Sequence, residues 1–334
     1  MFKCYITDIS QLKLFLRLSN PDYVDVLLNK GTSMFIADSP ELFGCLSIST
    51  ETTAVYEPYE FRMPAKILKN IACEGYMYVD KVEDDIVVSF YTKVNDKIAT
   101  VRFIAQYIFT DGYKHKLELL SSIGNYGGYF DVANVEKFCK ICKSSGGIIT
   151  FDKGIYGSTL SNRGRLFYKP TDMDNVQRFS ISADSLSILL GFNSKILSIE
   201  NYLCTAKNGL TILATKCNGE SNEEYSFMEA AKAKFRCNVD ISRVIAFVRA
   251  MSLKVQVIEL DLNSKVCTFD DSYGFYEIPF TVTDFESSPN AEINNIKLPI
   301  SVVNELFSGI DMSFFLEQKK NFVKLTKDDI FIYF

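Results

Sequence analysis

The sequence has no tryptophan and a single histidine, His115. A Ser–His–acid or Cys–His catalytic unit would have to use that one residue, and a metal site with several histidine ligands is excluded. His115 stands between Lys114 and Lys116 in a polar stretch, where a solvated position is expected. No apolar run reaches the roughly 18–20 residues of a membrane span; Phe103 to Phe109 is among the longest and is interrupted by Gln106. The start, Met1-Phe2-Lys3-Cys4-Tyr5, has no basic and then apolar region of a secretory leader, so a soluble, cytoplasmic chain is expected. An excess of positive charge is also missing. The 36 Lys and Arg face 41 Asp and Glu, a net charge of −5. Any hold on nucleic acid must come from cations gathered on one surface.

Core-forming material is plentiful. The chain has 334 residues, 47% of them apolar, enough for two or three domains. Nine scattered cysteines, an odd number, read as reduced, buried thiols. The one CxxC, Cys139-Lys140-Ile141-Cys142, has no second pair or histidine partner at zinc-site spacing, so core thiols are expected there. Gly124-Asn125-Tyr126-Gly127-Gly128 and Ser144-Ser145-Gly146-Gly147 lack phosphate-loop spacing and read as turns. Asp80, Asp84 and Asp85, and the pair Asp270 and Asp271, fall where hairpin turns favour Asp. No catalytic set converges, and neither a metal nor a cofactor is expected.

The informative signal is internal repetition. A short alternating strand runs directly into an amphipathic helical stretch, and this recurs six times. In the second copy Phe61 and Met63 alternate, Pro64 suits a first helical turn, and Ile67, Leu68 and Ile71 share a face. The sixth copy repeats the proline: Ile296-Lys297-Leu298-Pro299, then Val302, Val303, Leu306 and Phe307. The first runs from Cys4 through Ile9, Leu12, Phe15 and Leu16, with Asp8 as a cap. The third runs from Phe130 through Val135, Phe138, Ile141 and Cys142. The fourth starts at Phe179 with Ser182 as N-cap, and the fifth at Phe235 with Ile241, Val244, Ile245 and Val248. Alternating segments separated by turns follow each helix, a meander signal rather than a parallel crossover. Two such units, each with a helix face needing a sheet, make one α+β domain. Three domains are expected, at 1–110, 125–218 and 232–334. Polar linkers are expected at 108–127 and 218–231, and a further loop at 284–295.

Three tandem domains, each a doubled strand–helix–meander unit, resemble the DNA sliding clamp family in its three-domain bacterial polymerase III beta form. Gly31-Thr32-Ser33-Met34-Phe35-Ile36-Ala37-Asp38 resembles a clamp strand ending in an Asp turn. Asn162-Arg163-Gly164-Arg165-Leu166 resembles a matching stretch of beta-type second domains, and Ile330-Phe331-Ile332-Tyr333-Phe334 the short final strand. The resemblance implies a non-enzymatic processivity factor of a bacterium or its phage. Two chains would close head to tail into a homodimeric ring, helices lining the hole and sheets outside, around double-stranded DNA read without sequence preference. It also implies a groove for short linear motifs of a DNA polymerase and a clamp loader, falling on Ile141, Arg163, Arg165, Leu166, Ile332 and Phe334.

Charge supports this independently. The helical stretches 10–18, 64–72, 133–143, 182–191, 241–252 and 299–308 carry nine basic residues: Lys13, Arg17, Lys66, Lys69, Lys137, Lys140, Lys143, Arg243 and Arg249. They carry three acidic ones, Glu136, Asp184 and Glu305, leaving 27 basic and 38 acidic residues elsewhere. Such segregation lets an acidic protein hold a duplex through phosphates. The alternatives are a monomeric clamp-like DNA-binding factor, and a non-catalytic interaction module in which the repeats only scaffold contacts.

Overall fold

The computed structural model describes residues 2–6, 9–29, 31–49, 59–70, 75–94, 97–108, 110–123, 129–131, 135–144, 147–152, 154–158, 165–168, 178–193, 195–218, 230–289, 291, 293, 295–300, 303, 312–319, 322–327 and 330–333. One motif, strand–helix–three-stranded meander, recurs along the chain. The first repeat is β1 (Phe2–Ile6), α1 (Ile9–Ser19), β2 (Tyr23–Asn29), β3 (Thr32–Asp38) and β4 (Leu42–Ser49). The second is β5 (Tyr59–Pro64), α2 (Ala65–Lys69), β6 (Gly75–Val82), β7 (Asp85–Val94) and β8 (Lys97–Tyr107). A connector helix α3 (Lys114–Ser122) follows. The third repeat is β9 (Tyr129–Asp131), α4 (Glu136–Ser144), β10 (Ile148–Phe151), β11 (Ile155–Ser158) and β12 (Arg165–Tyr168).

The fourth repeat comprises β13 (Phe179–Ser182), α5 (Ala183–Phe192), β14 (Lys195–Ile199), β15 (Tyr202–Lys207) and β16 (Leu210–Thr215). The fifth comprises β17 (Ala233–Asp240), α6 (Ser242–Ala250), β18 (Val257–Asp261), β19 (Val266–Asp271), β20 (Gly274–Pro279) and an added strand, β21 (Thr281–Ser287). The sixth has β22 (Ile296–Pro299), β23 (Ser313–Lys319), β24 (Val323–Lys327) and β25 (Ile330–Tyr333). Its helix, expected at 299–308, lies outside the described residues apart from Pro299, Ile300 and Val303.

Repeats pair by exchanging first strands. β1 pairs antiparallel with β6 and β5 with β2; β9 pairs with β14 and β13 with β10; β17 pairs with β23 and β22 with β18. Each described repeat helix therefore enters from a strand held in its sister's sheet.

The chain packs as two compact units: Met1–Val132 with Ile188–Lys216, and Ala133–Ser187 with Cys217–Phe334. The expected middle domain, 125–218, contributes to both. The first unit holds a twelve-stranded sheet in the order β1-β6-β7-β8-β5-β2-β3-β4-β16-β15-β14-β9. The second holds a nine-stranded sheet, β13-β10-β11-β12-β25-β24-β23-β17-β21, and a four-stranded one, β20-β19-β18-β22. The run β5-β2-β3-β4-β16-β15-β14-β9 has the same repeat-by-repeat order as β13-β10-β11-β12-β25-β24-β23-β17.

Local chemistry explains the elements. In α1, Leu12, Phe15 and Leu16 are buried at i, i+3 and i+4, and the helix packs on β4. Gly44 leaves room for the Phe15 ring, which would lie 3.1 Å from an added Cβ. The third repeat uses the same device, Gly157 leaving room for Cys142 and Phe138 of α4. Ser182 caps α5, its Oγ accepting from the Ser185 amide at 3.2 Å. Ahead of α6, whose N-cap Ile241 makes no side-chain cap, Asp240 Oδ1 accepts from the Ser242 amide at 2.8 Å. The Asp8 cap lies outside the described residues.

Two expectations change. The stretch 108–127 is not a bare linker. It forms a 3₁₀ turn at Thr110–Tyr113 and then α3, whose Leu119 is buried and whose Leu117, Leu120 and Ile123 pack against the core of the first unit. Its apolar residues are spaced for one helix face, which the surrounding glycines and charges obscure. The loop expected at 284–295 begins as β21, an edge strand beside β17.

Six described cysteines, Cys45, Cys139, Cys142, Cys204, Cys237 and Cys267, are buried, and Cys217 is exposed. The CxxC lies within α4, where Cys139 donates to the Ala183 carbonyl oxygen at 3.2 Å. Among the described residues no helix is long and apolar enough to cross a membrane.

Candidate nucleic-acid interface

In the first unit, strand exchange sets α1 beside α2. Their packing leaves a shallow cleft of about 350 Å³ lined by Lys13, Leu16, Arg17, Asn20 and Lys69. Leu12, Phe15 and Leu16 face the sheet, so the residues one position on from Leu12 and Leu16, Lys13 and Arg17, turn to solvent. Lys69 reaches the cleft from the last turn of α2, its Nζ donating to Asn20 Oδ1 at 3.1 Å and to the Pro21 carbonyl oxygen at 3.5 Å. Lys66 is exposed one turn earlier. Neither α1 nor α2 contains an acidic residue, so their four cations are not offset within the helices; Asp22 stands at the start of α2, its carbonyl oxygen accepting from the Ala65 amide at 2.9 Å.

In the second unit α4 carries Lys137, Lys140 and Lys143. Lys140 is exposed and pairs with Glu136, one turn earlier, at 2.8 Å. An exposed i,i+4 pair of this kind is worth a few tenths of a kcal/mol, about as little as a phosphate need overcome. In α6, Arg243 and Arg249 are exposed while Val244, Ile245 and Val248 are buried. α5 has no cation and exposes Asp184. The positive charge is thus uneven, richest on α1 and α2.

Four of the residues expected to form a peptide groove, Ile141, Arg165, Leu166 and Ile332, belong to elements that meet in the second unit. α4, which carries Ile141, packs on β12, and β12 pairs antiparallel with β25. Arg165 lies opposite Tyr333 and Leu166 opposite Ile332. Ile332 is buried, and Leu325 of β24 is its other register partner, so it would form a floor rather than an open wall. On the other face of β25, Lys324 Nζ lies 4.3 Å from the Phe331 ring centroid and 3.7 Å from Glu317 Oε2. Arg163 and Phe334 lie outside the described residues.

Sequence reading missed two free sheet edges. β8 pairs with β7 along its length, but with β5 only at Tyr107 and Gln106. On its outer margin Ile98 is 76% exposed and Ile104 65%. β20 ends the four-stranded sheet, and there Phe275 is 62% exposed and Tyr273, in the preceding turn, 86%. The signal available in sequence was apolar residues on both faces of β8, which a strand with one solvated face does not carry.

The architecture has known counterparts. The chain superposes along its whole length on a DNA polymerase III beta subunit structure from Eubacterium rectale, with a TM-score of 0.72 at 10% identity, covering 98% of that chain. The chain has the beta sliding-clamp fold. The DNA polymerase sliding clamp of Bacillus subtilis gives a TM-score of 0.69 at 9% identity, with 99% of this chain and 98% of that one covered. The Helicobacter pylori beta clamp, solved bound to a DNA ligase peptide, gives 0.64 at 10% identity, with 100% and 98% covered. No protein-family model matches the sequence, and no curated protein matches it. The clamp fold is therefore kept here by the apolar pattern of six repeats, with nearly every individual side chain different.

Proposed function

We propose that this protein is a DNA sliding clamp, a non-catalytic processivity factor that encircles duplex DNA and tethers a DNA polymerase. The observation that carries the reading is the coincidence of a full-length clamp fold with cations concentrated on its helices in an otherwise acidic chain. Phosphate contacts from Lys13, Arg17, Lys66, Lys69, Lys137, Lys140, Lys143, Arg243 and Arg249 would be individually weak and blind to sequence, so the ring slides. Retention is topological, and tethering turns repeated polymerase rebinding into an intramolecular event. The chain is read as three clamp domains at 1–110, 125–218 and 232–334, acting in the cytoplasm of a bacterial or phage-infected cell.

A ring of two chains needs two different, complementary edges, because head-to-tail contacts are heterologous. The free edges of β8 and β20 suit this. The first offers Ile98, Ile104, Lys97 and Arg102, and the second Phe275, Tyr273 and Glu277, with Asp270 of β19 opposite Phe275. Apolar surface would be covered and opposite charges matched as the sheet continues from one chain to the next. The partner groove is assigned to Ile141, Arg163, Arg165, Leu166, Ile332 and Phe334, and takes a short linear motif of a polymerase or loader. The ligase peptide bound by the Helicobacter pylori clamp supports a partner of that kind.

The test is native mass by light scattering across a dilution series, followed by retention on nicked circular against linear duplex. A concentration-independent dimer that stays on circles and slides off linear ends is expected. A monomer at every concentration would sink the two-chain ring and leave a factor that binds DNA on one face.

A further inference from the structure

Connector helix α3 is poorly built to be a helix by itself. Its nine residues fall short of the roughly 12–15 that an isolated helix needs in water. Lys114, His115 and Lys116 occupy the first turn, where the helix dipole disfavours cations, and no acidic residue stands there to offset them. The N-cap residue, Tyr113, makes no side-chain cap. Near the other end, Ser121 Oγ donates to the Leu117 carbonyl oxygen at 3.0 Å and Ser122 Oγ to that of Leu119 at 2.8 Å, a habit that weakens helices.

Docking is what holds it. Tyr113, Leu117 and Leu120 recur at i, i+4 and i+7, and with Leu119 and Ile123 they join a cluster of Leu27, Ile36, Phe43, Leu197, Ile199 and Leu213. That cluster spans both sides of the β4–β16 pairing. Polar attachments surround it. The Tyr113 hydroxyl donates to the Asp25 carboxylate. Lys116 Nζ donates to Asp38 Oδ1 at 2.6 Å and lies 5.1 Å from the Phe43 ring centroid, and His115 Nε2 is 3.0 Å from Glu200 Oε2. Apolar anchors at helical spacing, seated on an apolar sheet face with a polar rim, are how a partner's amphipathic helix sits in a groove. Here the ligand comes from the same chain.

We propose that α3 is an exchangeable cis ligand, and that the face beneath it is a docking groove for a partner protein's amphipathic helix. The occupant is defined by what α3 supplies: an aromatic anchor, leucines four and seven residues on, and a cation at the third position to meet Asp38. The groove lies on the first unit, whereas the peptide groove is assigned to β12 and β25 of the second. The inference stands whether or not the protein encircles DNA.

The test uses a fluorescein-labelled peptide of residues 110–124 as probe, with full-length wild-type protein and the double variant Leu117→Ser/Leu120→Ser. The tethered helix competes at an effective concentration on the order of millimolar, so wild type should bind the peptide at least roughly tenfold more weakly than the variant. Saturable binding to the variant, lost when the peptide carries the same two serines, supports the groove. A folded variant that ignores the peptide, or wild type that binds it equally well, overturns it. Should the variant fail to fold, hydrogen exchange of the wild-type protein decides. Amides of 114–122 exchanging about tenfold or more faster than those of β3 and β16 support a separable helix, and equal rates overturn it.

Discussion

Lys13 and Lys69 are 56 positions apart, in different repeats, and line the same cleft. Strand exchange causes this, since β5 in the sheet of the first repeat delivers α2 alongside α1. With Arg17 and Lys66 they put four cations on two adjoining helices that hold no carboxylate of their own.

Replacing Lys13 and Lys69 by alanine should lower the slope of log affinity against log salt for duplex binding by about 1.8, at roughly 0.9 for each phosphate no longer neutralised. Lys140→Ala should change it by less, because that lysine already pairs with Glu136. Fluorescence anisotropy of a short duplex between about 50 and 200 mM salt reads the slope. An unchanged slope in the double variant would remove α1 and α2 from the DNA surface.

Asp25 and Arg62 form a two-point ion pair, Nε to Oδ1 at 2.6 Å and a second guanidinium nitrogen to Oδ2 at 2.8 Å. The carboxylate side is 5% exposed and the guanidinium 41%, so the two halves are not equivalent. Arg62→Met leaves a buried carboxylate with the Tyr113 hydroxyl but without its cation, and should cost about 3 kcal/mol. Asp25→Asn leaves a cation that reaches water and should cost roughly half as much. Urea denaturation of both variants checks the order, and a larger loss for Asp25→Asn would reverse the argument.

The repeat, the class of most of its elements and the solvent-facing cations were legible in the sequence because they depend on period alone. Leu12, Phe15 and Leu16 announce a buried helix face wherever it docks, and so place Lys13 and Arg17 outside it. Partner choice was not legible. Nothing in residues 42–49 says that β4 pairs with β16, about 170 residues on, or that α1 and α2 adjoin. Helix α3 was hidden by Lys114, His115 and Lys116, whose local preference opposes the helix that docking of Leu117, Leu119 and Leu120 enforces. The edge residues Ile98 and Ile104 resembled ordinary strand positions until their exposure was seen.

Alkaline pH should destabilise the protein earlier than loss of lysine charge would. Burial pushes the thiols of Cys45 and Cys237 up to about 11 and those of Cys204 and Cys267 up to about 12. Burial, then its bond to Asp25, pushes the Tyr113 phenol up to about 12. In each case folding favours the protonated, neutral form. That stability is complete below the unfolded values near 9 and 10, and is lost as pH rises through the folded ones. Melting temperatures should hold steady to about pH 9 and fall between 9 and 12. Tyr113→Phe should flatten the upper part of that fall.

Gly157 and Gly209 should resist enlargement for different reasons. A Cβ on Gly157 would stand 2.4 Å from Cys142 Sγ and 3.1 Å from the Phe138 ring, forcing α4 away from β11. One on Gly209 would stand 2.6 Å from the Ser47 carbonyl oxygen, in a backbone with φ of +77°. Each alanine variant should lose about 1–3 kcal/mol in urea denaturation. In Cys142→Ala/Gly157→Ala the closest clash is gone and the Phe138 contact at 3.1 Å remains, so part of the Gly157→Ala loss should be recovered, whereas no side-chain change can relieve Gly209→Ala.

If two chains close through β8, its free edge allows that contact to be broken without disturbing the fold. Ile98 and Ile104 touch water over most of their surface, so Ile98→Asp and Ile104→Asp should leave stability within about 0.5 kcal/mol of wild type. If β8 joins β20 of a second chain, the new carboxylates meet Glu277 and Asp270 and stand where apolar surface should be covered. Light scattering should then report a monomer with an unchanged melting temperature, and retention on circular DNA should fall to that on linear DNA. Phe275→Lys tests the opposite edge and should also give monomers. Mixing it with Ile104→Asp sets the introduced ammonium of one chain against the introduced carboxylate of the other. A partial return of dimers is therefore expected from the mixture and from neither variant alone. Dimers undiminished in both single variants would mean that the chains close through other edges.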